Sequence, residues 1–125
     1  LKGEISVNRF AMFIAFALFV VGSSSIAQPV SAHPSIDIAA ANWKFSPAVI
    51  TLHVGETTEL RLTSTEGVHG IQSDALGIPQ TMLTPGKFVT VSVTPKKAGT
   101  YILHCAIMCG PGHEKMMLTI VVEAK

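Results

Sequence analysis

VITLHVGETTELRLTS, residues 49–64, alternates apolar and polar side chains on both sides of a Val-Gly-Glu turn signal. Ile50, Leu52 and Val54 share one face against Thr51 and His53, and Leu60 and Leu62 share another against Glu59, Arg61 and Thr63. A period of two is the mark of half-buried strands, and β-branched residues reinforce it. The same pattern recurs in SIDIAAA (35–41), FVTVSV (88–93), TYILHC (100–105) and MLTIVV (117–122). Ser46-Pro47, Pro85-Gly86-Lys87 and the run from Pro95 to Gly99 supply further turns. Past residue 33 no stretch has the length and 3.6-residue period of a good helix. The expectation is an all-β Greek-key sandwich of about seven or eight strands spanning residues 33–125. One domain of this size has a small but sufficient core, to which a bound metal would add stability.

Residues 1–32 differ in kind. Lys2 and Arg9 flank the start, an apolar run covers Phe10 to Gly22, and GSSSIAQPVSA follows with small residues. This is the layout of a secretory leader, with the preferred cut after Ala32 and an alternative after Ala27. The competing reading is a retained membrane anchor, since the run extended to Ala27 gives about 18 residues, the lower limit for a spanning helix. Both readings put residues 33–125 in a periplasmic or other extracytoplasmic compartment.

The whole chain holds nine Lys and Arg against eight Asp and Glu. Setting aside Lys2, Arg9 and Glu4 leaves seven of each in residues 33–125. A balance of that kind gives no electrostatic footprint for nucleic acid or an anionic membrane surface. A membrane enters only through a retained leader. No Ser-His-Asp arrangement or carboxylate pair stands out, so no catalytic activity of its own is expected.

The chemistry gathers in HCAIMCGPGHEKMM, residues 104–117, which carries both cysteines of the chain. Cys105, Cys109, His113 and Met116 follow one another at intervals that fit a loop between two strands. Thiolate, imidazole and thioether together favour copper over magnesium, calcium or manganese. A further imidazole is needed, and His69 in STEGVHGI lies just past the strand that ends near Ser64. A disulfide between the cysteines is the competing reading, but so short a loop stabilises little and leaves the His and Met spacing unexplained. His53 is expected to face solvent, His104 to point away from Cys105 as a surface or supporting group, and Trp43 to belong to the core. Met82 and Met108 are expected to serve as packing residues or, with His33, as a weak secondary copper-loading surface.

With Val68-His69-Gly70 upstream, the segment Cys105 to Met116 resembles the dinuclear CuA site of cytochrome c oxidase subunit II and of nitrous oxide reductase. NWKFSPAVITLHVGETTELRLTS and TPGKFVTVSVTPKKAGTY resemble the cupredoxin framework that carries such a site. The resemblance implies two copper ions bridged by Cys105 and Cys109, with His69 and His113 each capping one. It implies Met116 sulfur and the Ile107 backbone carbonyl as weak ligands. Subunit II usually has Glu at the position of Ile107, whose carboxylate joins a magnesium site shared with the catalytic subunit. Ile keeps the carbonyl and drops the carboxylate.

The function so implied is electron transfer between a cytochrome c or another cupredoxin and a terminal oxidase or reductase, as a free protein or as the electron-entry component of such a complex. Two alternatives stay open: a mononuclear cupredoxin using His69, Cys109, His113 and Met116, and a copper carrier for oxidase assembly.

Overall fold

A computed structural model of the chain describes residues 32–125 and, before them, Gly3, Gly22 and Ala27 alone. The leader or anchor expected over residues 1–32 thus lies outside the described residues but for those four positions. Among the described residues no helix is long and apolar enough to cross a membrane.

Among the described residues nine strands form: β1 (Ser35–Ala41), β2 (Lys44–Ser46), β3 (Val49–His53), β4 (Thr58–Ser64), β5 (His69–Ser73), β6 (Ile78–Leu83), β7 (Val89–Val93), β8 (Gly99–His104) and β9 (Met117–Glu123). One sheet has the order β2-β1-β4-β7, a second β3-β9-β8, and β5-β6 forms a separate ribbon. β1 runs parallel to β4 and β3 parallel to β9, while β4–β7 and β8–β9 are antiparallel. Parallel partners cannot be joined by a tight turn, so the chain crosses between the two sheets in the Greek-key manner.

The alternation read from the sequence is the alternation of burial. Ile50 and Leu52 of β3, Leu60 and Leu62 of β4, and Leu118, Ile120 and Val122 of β9 all point into one core with Ile38, Phe45 and Leu103. Each such side chain contributes about 1.5–3 kcal/mol by leaving water. Arg61 stays on the outer face, where its guanidinium reaches both oxygens of Asp37 at 3.1 and 3.2 Å and lies over the Phe88 ring.

The six strands anticipated from the pattern all form. The three others are β2, β5 and β6. β2 has three residues and buries only Phe45. β5 begins with three consecutive buried residues, His69, Gly70 and Ile71, so it has no alternation to read. β6 carries Pro79, a residue that ordinarily argues against a strand and is tolerated in this ribbon. This ribbon is what brings His69 to the end of the sandwich where β8 hands over to the cysteine loop.

Candidate metal centre

His69 opens β5 and is fully buried. The connection leading to it is tied by Ser64, whose hydroxyl is placed to donate to the carbonyls of Gly67 at 2.6 Å and Glu66 at 3.1 Å. Gly67 takes the left-handed conformation, φ 75°, which costs glycine little. The Glu66 carbonyl then accepts from His69 Nε2 at 2.7 Å. A carbonyl only accepts, so the imidazole proton resides on Nε2 and Nδ1 presents its lone pair. That Nδ1 lies 4.0 Å from Cys105 Sγ. A carbonyl fixing the tautomer of an imidazole is the usual support behind a metal-ligating histidine.

The loop is pinned to this ribbon at its first residue. The Ala106 amide donates to the Gly70 carbonyl at 2.9 Å, and the Cys105 amide donates to the Met116 carbonyl at 3.2 Å. A Cβ on Gly70 would lie 3.3 Å from both Ile107 Cγ2 and the Thr81 carbonyl oxygen, a tight fit that any larger residue would have to relieve by displacing them. Cys105 is buried, and its thiol donates to the Ile107 carbonyl at 3.3 Å, so that carbonyl faces the sulfur.

Beyond it, Cys109 Sγ lies 3.5 Å from His113 Nδ1 and 3.9 Å from the sulfur of fully buried Met116. His113 starts a single 3₁₀ turn, His113–Lys115, and its amide donates to the Gly110 carbonyl at 3.1 Å. Ligand atoms of His69, Cys105 and Cys109 all lie within 4.8 Å of one another. The structure therefore brings together every residue the sequence put forward for the centre, in two halves: Cys105 beside His69, and Cys109 beside His113.

Both cysteines are free thiols. Burial, then the neighbouring Cys105, push the Cys109 thiol up from 9.0 to about 11. A thiol so placed is protonated at neutral pH, and a metal ion must displace that proton to bind. Two sulfur nucleophiles, two imidazoles, a thioether and an inward carbonyl form a soft donor set that fits copper and suits neither magnesium nor calcium.

Trp43 is the residue the sequence reading misplaced. It is 37% exposed rather than core, and it covers the loop. Its Nε1–H donates to the Cys109 carbonyl at 3.3 Å, and its ring lies against Gly110 and Gly112. Gly110 adopts φ 130°, and a Cβ on Gly112 would run into Trp43 Cγ and Cδ2. The signal was the pair of glycines around Pro111, which marks a close approach by something large. Met82 and Met108, expected to pack, are exposed, Met108 to 83%. His53 keeps 44% of its side-chain surface open to solvent, as expected, with Nδ1 4.0 Å from a Glu123 carboxylate oxygen. His104 is exposed and faces away from Cys105, as strand alternation requires.

Comparison with known proteins agrees with this fold. Residues 10–121 match the family model described as a cupredoxin-like domain. Cytochrome c oxidase subunit 2 of Thermus thermophilus is 32% identical over 89 residues, covering 71% of this chain and 65% of that relative. The match thus spans less than two thirds of the relative's length. Among solved structures, the periplasmic domain of subunit II of cytochrome oxidase of Bradyrhizobium japonicum superposes with a TM-score of 0.67 at 16% identity, covering 75% of this chain and 86% of that one. A chain of a heme-copper terminal oxidase dimer superposes with a TM-score of 0.64 at 26% identity, covering 74% and 66%.

Proposed function

The chain belongs to the cupredoxin-like domain family, and from that premise we propose that it is an extracytoplasmic electron-transfer protein with a dinuclear copper centre of the CuA type. The observation that carries the reading is the pairing of each cysteine with its own histidine, 4.0 Å for Cys105 with His69 and 3.5 Å for Cys109 with His113. A mononuclear site would need one cysteine and leave the other idle. Here both sulfurs belong to one cluster with His69.

In this reading Cys105, Cys109, His69 and His113 would hold the copper, with the Met116 sulfur and the Ile107 carbonyl as further, weaker donors. When bound, such a copper pair takes up and releases one electron with little change in its bonds. The chain's own contribution is to hold the ligands still. The Glu66 carbonyl fixes the His69 ring, the Gly70 carbonyl fixes the loop's first amide, and buried Met116 closes the inner side. A rigid, dry ligand set lowers reorganisation and sets the potential. Trp43 shields the loop from water at its outer side.

The relatives named as oxidase subunits support a terminal oxidase as one partner; the electron donor we propose on the other side is a cytochrome c or another cupredoxin. The periplasmic origin of one structural neighbour and the leader-like residues 1–32 support an extracytoplasmic location.

The test compares two rates on the copper-loaded protein: electron exchange with reduced cytochrome c, and transfer of copper to an apo-acceptor. Electron exchange is expected to be the faster. Faster loss of copper would replace this reading with that of a carrier.

A further inference from the structure

His69, Cys105 and Met116 are buried while Cys109 and His113 keep part of their surface, so copper reaches the deeper sulfur, Cys105, by way of groups nearer the solvent. β8 and β9 pair in a register that sets His104 directly opposite Met117. Their burial patterns alternate in phase: Leu103 and Leu118 face the core, while His104 and Met117 are exposed on the other face. Directly opposed residues on one face of an antiparallel pair have Cβ atoms about 4.5–5.5 Å apart. An imidazole and a thioether therefore stand side by side in solvent. Each precedes or follows a buried ligand by one residue, His104 before Cys105 and Met117 after Met116, and the Cys105 amide is bonded to the Met116 carbonyl at 3.2 Å.

A second observation connects this pair to the thiols. A recess of about 380 Å³ is lined by Gln72, Ser73, Asp74, His104, Cys105 and Ala106. It is lined by both His104 and Cys105, so an ion released from the imidazole enters a recess that runs beside the strand end carrying the first buried sulfur. The carboxylate of Asp74 on its wall favours a cation.

We propose that His104 and Met117 form a surface site for Cu(I), from which the ion passes along this recess to Cys105. Imidazole and thioether are donors that select Cu(I), and a two-donor site holds it weakly enough to release it to two thiolates. The ion keeps its oxidation state in the transfer. Its bonds to nitrogen and thioether sulfur break, bonds to the cysteine sulfurs form, and the thiol protons go to water. The purpose of the site rests on the copper reading of the buried centre, but its metal binding does not.

Two experiments separate these. In the full chain carrying C105S and C109S, silver(I), a redox-inert stand-in for Cu(I), is titrated by NMR. The first equivalent should shift the Met117 ε-methyl and His104 ring signals together, and M117L or H104N should abolish the shift, whereas M82L with M108L should not. Silver distributing over the exposed methionines without touching His104 would overturn the site. In the native chain, M117L should slow copper uptake from a Cu(I) chelate by about tenfold, the scale on which supporting groups affect metal affinity, with the final copper content unchanged. Uptake at the native rate would overturn the transit role, even if silver binds. Failure of the native chain to take up copper at all would count against the buried centre, and the silver titration would still decide the surface pair.

Discussion

His69 Nε2 is held by the Glu66 carbonyl at 2.7 Å, and this single contact decides which nitrogen the ring offers to the cysteines. The Glu66 carbonyl is in place because Gly67 turns back beside it. A Cβ at Gly67 would meet Asn42 Oδ1 at 2.6 Å and His69 Nε2 at 3.1 Å, in a backbone conformation that L-residues avoid. Gly67→Ala should therefore displace the histidine and cost about 1–2 kcal/mol of stability. Copper affinity should fall by about 10–100-fold, as read by competition with a chelator.

Trp43 and Gly112 occupy the same space to the limit, since any Cβ at 112 collides with the indole. Gly112→Ala alone should perturb the loop and accelerate copper loss. Trp43→Ala should partly relieve it, so the double variant is expected to release copper more slowly than the sum of the single effects requires. Strict additivity of the stopped-flow release energies would mean that the two residues do not meet.

Met116 is buried without remaining exposure and has its sulfur 3.9 Å from Cys109 Sγ. Met116→Leu conserves volume, so the unfolding free energy should change by less than about 1.5 kcal/mol. The reduction potential and visible spectrum should nonetheless shift, because the thioether is lost. A residue that only packs would leave both unaltered.

How far the sequence carried this account depends on whether a signal was periodic. β1, β3, β4, β7, β8 and β9 alternate, and they were legible. β5 escaped notice because Gly70 and Ile71 are both buried under neighbouring segments, which erases the period. The candidate donors Cys105, Cys109, His113 and Met116 were legible from their spacing within one loop and His69 from its place past β4, whereas the Ile107 carbonyl came only from the family resemblance. What holds it was not: the Ser64 hydroxyl, the Glu66 and Gly70 carbonyls and the Trp43 indole act through backbone atoms or through close approach, and neither leaves a residue pattern. Trp43 was assigned to the core because a lone tryptophan usually belongs there. Its place over Gly110 and Gly112 follows from a long-range contact that no local window contains.

Metal binding to the folded state alone stabilises it by mass action. Removing copper with a strong chelator should therefore lower the melting temperature, and the loss should be absent in the C105S, C109S variant. Equal melting temperatures for the loaded and stripped native chain would show that copper is bound elsewhere or hardly at all.

Counting copper per chain and recording the paramagnetic resonance spectrum of the loaded protein tests the central claim most directly. The arrangement of Cys105 with His69 and Cys109 with His113 predicts two ions per chain and a hyperfine pattern from one electron shared equally by two copper nuclei. One ion per chain, with splitting from a single nucleus and the same spectrum after Cys105→Ser, would contradict it.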